Sequence, residues 1–176
     1  MYRVIRIIVH AKSENEALKK AKRALHSLAT EKKVFDQYKT LDDEEYWKER
    51  EDLRKDLLIA VLARHPQGVK LIEDGWQATV REFLSAFEVV KLAVQHLTPE
   101  EIMEGILPRN LSLDLKKKFP NPLIRYQFKV VGDQSAGAFT WLYYQDMPLT
   151  TRRDLDRVLK PKMGMEAYVV PADVHS

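Results

Sequence analysis

The stretch "IRYQFKVVGDQSAGAFTWLYY", residues 124–144, is where the fold of this chain is decided. Ile124, Tyr126, Phe128 and Val130 alternate with Arg125, Gln127 and Lys129, the two-residue period of a strand with one buried face. Phe139, Trp141 and Tyr143 alternate in the same way beyond a glycine-containing loop, so the two segments are predicted to pair as a hairpin. The parity of the loop then sets what the rings face. With the even loop "GDQSAG", Tyr126, Phe128 and Val130 lie opposite Tyr143, Trp141 and Phe139, and six large groups on one face belong against helices. An odd loop sets the three rings beside Arg125, Gln127 and Lys129 instead, as a basic and aromatic platform. Burial of apolar surface favours the even loop. It leaves Thr140, Leu142 and Tyr144 on the reverse side, sharing a mixed face with Arg6.

Working outward, "YRVIRIIVH" at 2–10 is β-branched and nearly continuous in apolar residues, as in a strand at the middle of a sheet. Ser13 and Glu16 form a capping box, and Ala17, Leu18, Ala21, Ala24, Leu25 and Leu28 recur at helical spacing behind it. Downstream of the hairpin, Thr150 or Thr151 caps "TTRRDLDRVLK", Pro161 and Gly164 stop it, and "MEAYVV" is a last strand. The order predicts an α+β protein with a ferredoxin-like split β-α-β-β-α-β core, its sheet antiparallel, formed by residues 1–33 and 121–176.

Residues 34–120 are predicted to be an acidic helical insertion between the first helix and the second strand. Its first helix starts near Thr40 or Asp42, carries Tyr46, Leu53, Leu57 and Ala60, and ends at His65-Pro66 and Gly68. A long amphipathic helix follows from about Trp76 to Leu97. "TPEE" at 98–101 places a cap, a proline and a glutamate where a further short helix needs them. Residues 105–121 mix helix and turn signals.

Charge divides along the same boundary. Residues 1–33 hold nine Lys/Arg against three Asp/Glu, and residues 109–176 hold eleven against seven. Residues 34–108 hold nine against sixteen. The pI near 9.0 therefore conceals a dipolar chain, which bears on partners and not on fold. The absence of cysteine excludes a disulfide framework and thiolate metal sites. No apolar run approaches the roughly 18 residues of a membrane span, and the first strand lacks the marks of a signal peptide, so a cytoplasmic protein that does not engage membranes is expected. Abundant Lys, Glu and Arg without Cys also suit a thermophile.

Chemistry is sparse. The five histidines are scattered with no metal-ligand spacing, and no phosphate loop or nucleophile elbow is present, so neither a metal, a cofactor nor a catalytic set is expected. Acids at 42–45 and at 100, 101 and 104 are explained by helix starts. "FTWLYY" resembles the aromatic third strand of RNA-recognition-motif domains, but Ala136 and Ala138 break that signature and no residue role is carried over. The expected function is a non-enzymatic binding module contacting nucleic acid phosphates through Arg6, Lys116, Lys117, Lys118, Arg125, Lys129, Arg152 and Arg153, with Arg157, Lys160 and Lys162 extending the patch. The alternative is a homodimerisation or protein-interaction module, the acidic insertion of one copy on the basic sheet of another. A third reading is an enzyme or small-ligand binder in a cleft between core and insertion, with His10, Phe35, Asp36, Tyr38, Trp47 and Tyr144 as its candidates.

Overall fold

The structure is a computed structural model, and it describes residues 2–35, 37–38, 57–105, 107–119, 123–132 and 140–175. The protein is a mixed α and β chain that divides into two compact units, Met1–Ala78 with Thr140–Ser176, and Thr79–Phe139.

In the first unit, strand β1 (Tyr2–Ala11) is followed by helix α1 (Glu14–Thr30), and short strands β2 (Gln37–Tyr38) and β3 (Val61–Leu62) come next. Helix α2 (Pro66–His96) begins in this unit. The unit closes with β4 (Leu142–Tyr144), β5 (Met147–Pro148), helix α6 (Arg152–Val158) and β6 (Glu166–His175). The strands form one sheet in the order β2-β6-β1-β4-β5, with β3 also paired to β6.

The sheet is mixed, which corrects the antiparallel expectation. β6 runs antiparallel to β1 along its whole length, from Tyr2 opposite His175 to Ala11 opposite Glu166, while β4 runs parallel to β1, Arg6 opposite Leu142. A ferredoxin-like split needs a strand between the two parallel ones. Here β1 and β4 are direct neighbours, and among the described residues that split is not seen.

The cause lies in the stretch read first as a hairpin. "IRYQFKVVG" is helix α5 (Ile124–Gly132), not a strand. Its buried residues Ile124, Gln127 and Val130 recur at three-residue spacing, whereas Tyr126 is 44% exposed. Apolar residues at 124, 128 and 131 satisfy a helical period while those at 124, 126, 128 and 130 satisfy a strand period, and packing against neighbouring helices decides between them. The hairpin is instead β4–β5, turned by Gln145 and Asp146, with Gln145 in the left-handed region at φ 54°. Phe139 lies outside the described residues; Tyr143 is fully buried and Trp141 half-buried.

Both faces of β1 are covered within this unit, which is why its sequence is nearly continuous in apolar residues. Ile5, Ile7 and Val9 pack with Tyr143, Val170 and Ala172 against Ala17, Ala21, Ala24, Leu25 and Leu28 of α1. Ile8 packs on the other side with Leu142 and Val169 against Ile72 of α2 and Leu155 and Val158 of α6. The reverse side of the aromatic strand is therefore core: Thr140 and Leu142 are fully buried.

α2 starts earlier than its sequence suggests. Pro66 opens it and does not end a preceding helix, because a first-turn proline lacks only an N–H that has no intrahelical partner there. Residues 57–63 are not helical: Leu58 takes a left-handed φ of 53°, Val61 and Leu62 pair with β6, and Leu58 N donates to Pro171 O (2.8 Å) and Ala63 N to Ala167 O (2.9 Å). The predicted helix start at 40–56 lies outside the described residues.

In the second unit, the rest of α2 packs with α3 (Pro99–Glu104), α4 (Leu113–Lys116) and α5. Val89, Ala93, Leu97, Phe119 and Ile124 form its centre. The capping box read from "TPEE" is present: Glu101 N donates to Thr98 Oγ1 (3.2 Å) and Thr98 N to Glu101 Oε2 (2.9 Å). Among the described residues no helix is long and apolar enough to cross a membrane.

Gly75 lets α2 approach the sheet. A Cβ there would lie 2.9 Å from Arg6 Cδ and 3.0 Å from two carbons of Leu142, closer than such atoms pack. The helix accepts the roughly 1 kcal/mol propensity cost of an internal glycine for that contact. Gly75→Val is expected to lower unfolding stability by about 2 kcal/mol through overpacking. Gly132→Ala, whose Cβ would meet open space, is expected to be neutral or stabilising. Urea unfolding of the two variants checks the contrast.

Candidate functional site

Because β1 and β4 run parallel and side by side, their C-terminal ends come together. His10 stands at the end of β1 and Tyr144 at the end of β4, and they meet edge to face with ring centroids 5.6 Å apart. His10 is buried, Tyr144 half-buried. His10 Nε2 donates to the carbonyl of Lys160 (2.8 Å), and its Nδ1 lies 3.1 Å from Tyr144 Oη. The backbone carbonyl of His10 accepts from Lys20 Nζ (2.8 Å), which fixes the end of β1 to α1.

These two residues line a cleft of roughly 600 Å³, within the range of a small-molecule site. Met147, Pro148, Leu149, Val158 and Pro161 supply apolar wall. Arg157, Lys160 and Lys162 supply three cations and Asp154 one acid. Asp154 is engaged: it pairs with Arg157 (3.0 Å) and accepts from Thr151 Oγ1 (2.8 Å). Lys160 and Lys162 are exposed and form no ion pair among the described residues. Lys162 is held by a tight turn in which it and Met165 exchange backbone hydrogen bonds of 3.0 and 2.9 Å. Met163 and Gly164 both take positive φ, 52° and 73°, as such a turn between antiparallel segments demands.

The other predicted site residues are dispersed. Arg6 is half-buried, donates to Val4 O (2.6 Å), and lies against Gly75 of α2. Burial pulls the pKa of its guanidinium down from the ordinary value, and the charge of Asp74 opposes that. Arg152 is exposed but committed to Glu73 (3.0 Å) and Asp156 (3.1 Å), while Arg153 is exposed. Lys116, Lys117, Lys118, Arg125 and Lys129 all belong to the second unit, where Lys116 Nζ donates to Arg109 O (2.7 Å). Phe35 is core beneath α1. Asp36 and Trp47 lie outside the described residues, and Tyr38 is placed only by its backbone, opposite Val174. Of the cleft candidates the structure thus brings His10 and Tyr144 together. From sequence, Arg157, Lys160 and Lys162 are expected only to extend the phosphate-contacting patch; the lysines flanking Pro161 just after a helix are the available sign of a shaped loop.

Residues 1–176 match a family described as Domain of unknown function (DUF7995). The chain belongs to the DUF7995 family. No curated protein matches it, and no solved structure does.

This DUF7995 chain has a second, shallower cavity of roughly 390 Å³ lined by Lys20, Arg23, Ala24, Ser27, Gln145 and Asp146. Ser27 Oγ donates to Asp146 Oδ2 (2.9 Å), and Lys32 Nζ donates to Asp146 O (2.7 Å) and lies 3.2 Å from its carboxylate. Partial burial pushes the Asp146 carboxyl upward, but the bonds from Ser27 and Lys32 outweigh it and leave the pKa below the ordinary value. A carboxylate depressed on folding contributes stability above its unfolded pKa and loses it as pH falls through the folded one. Asp146→Asn is therefore expected to destabilise at neutral pH, with the gap from wild type closing below about pH 4. A pH series of urea midpoints checks this; a gap independent of pH would contradict it.

Proposed function

We propose that the protein is a small-molecule-binding module whose ligand is anionic and sits in the cleft at the C-terminal ends of β1 and β4. One observation carries this reading: Arg157, Lys160 and Lys162 line a cleft that also holds the buried His10 and its partner Tyr144. Ligands of α/β sheets bind where parallel strands end, since loops there are free to vary around a rigid edge. Three cations with one committed acid leave an excess of positive charge for an anion. The test is calorimetry of the full chain with inorganic phosphate and pyrophosphate. Lys160→Glu combined with Lys162→Glu is expected to weaken binding by about tenfold or more. Undetectable binding of every phosphate tried, or unchanged affinity in the double variant, would refute the reading.

A second reading concerns the helical unit. Lys117, Lys118, Arg125 and Lys129 are exposed there and form no ion pair among the described residues, which suits contact with nucleic acid phosphates. Anisotropy with a labelled oligonucleotide is expected to show binding that falls steeply with salt. Reversing Lys117 and Lys118 is expected to reduce the magnitude of the log–log slope by about two. Absence of binding at low salt would end this reading.

A further inference from the structure

Resting on the anion reading of the cleft, we infer that its ligand carries a hydrogen-bond donor, a hydroxyl or amino group, beside its anionic group. The class is a hydroxylated organic phosphate or carboxylate of the sugar-phosphate kind, as opposed to a bare anion. The inference follows from the polarity of three linked groups.

The carbonyl of Lys160, 2.8 Å from His10 Nε2, has only lone pairs to offer. With the ring neutral, Nε2 must therefore carry its one proton. A neutral imidazole has one donor and one acceptor nitrogen, so Nδ1 presents a lone pair. Tyr144 Oη, 3.1 Å away, satisfies it with its single proton. What the phenol has left is acceptor capacity alone. Of the other residues lining the cleft, Met147, Pro148, Leu149, Val158 and Pro161 carry no side-chain donor.

The rim has the opposite character. Arginine and lysine side chains donate and never accept. A ligand that satisfies both parts has an anion toward Arg157, Lys160 and Lys162 and an O–H or N–H toward Tyr144. One lacking that donor leaves the Tyr144 oxygen without a partner in a site it has dehydrated, which is the condition under which polar sites discriminate strongly. Water trapped in the cleft would soften the preference without reversing it.

The experiment uses the full chain and two phosphates of equal charge and similar size, glycerol 3-phosphate and n-propyl phosphate, titrated by calorimetry. Glycerol 3-phosphate is expected to bind about tenfold more tightly, the value of one good hydrogen bond. In Tyr144→Phe the preference is expected to shrink to about twofold or less. If neither phosphate binds, the anion reading falls and this inference falls with it. If both bind equally, or if Tyr144→Phe keeps the preference, only the donor inference falls. Since Tyr144→Phe removes a partner of a buried histidine, nitrogen-15 NMR of His10 in the unaltered protein supplies an independent reading. The neutral ring is expected to show a protonated Nε2 and a bare Nδ1; a proton on Nδ1 would overturn the assignment.

Discussion

The antiparallel ladder between β1 and β6 is what the first unit depends on. Ten residue pairs join segments that begin and finish the described chain, and every other strand is placed by reference to them: β4 on the far side of β1, β2 and β3 on the far side of β6. Pairing at such sequence separation carries a loop-closure cost before it yields any contact, so the ladder has to be supported from outside. The support is burial on both faces, α1 on one and α2 with α6 on the other. The same ladder sets His10 opposite Ala167, and so brings Lys160 and the turn at 162–165 with Lys162 to the cleft.

Parts of this arrangement were legible in the residues. β1, α1 and β6 are strongly patterned and capped, and the "TPEE" box closes as its spacing requires, because these are local signals that tertiary contacts reinforce. The stretch at 124–132 was not legible, since Ile124, Phe128 and Val131 suit a helix while Ile124, Tyr126, Phe128 and Val130 suit a strand. Only the packing of Ile124 with Val89, Ala93 and Phe119 resolves them. That one ambiguity propagated: with residues 124–132 helical, the parity of a loop at 132–137 no longer governs anything, and the aromatic strand pairs with β1 instead.

The site was legible by half. His10 and Tyr144 stood out as a polar residue ending an apolar strand and the last ring of an aromatic run. Their meeting was not readable, because it depends on β1 and β4 being parallel neighbours, a fact of topology. The third participant, the carbonyl of Lys160, is backbone and leaves no trace in residue type. The basic residues illustrate the reverse case: charge density is plain in the sequence, but Arg6 is drawn under α2 and Arg152 is spent on Glu73 and Asp156.

Prolines occupy telling positions in the sheet. Arg6 gives its N–H to Trp141 O, on the β4 side of β1, so its partner Pro171 turns its own backbone outward, where its oxygen receives Leu58 N. The N–H that Pro171 lacks falls between β2 and β3, which pair with β6 at 174–175 and 168–169. At the opposite margin the sheet stops at β5, two residues long, one of them Pro148. A strand offered from outside would meet an interrupted row of donors at either margin. Among the described residues, neither margin offers the long, unbroken edge on which a peptide strand is added.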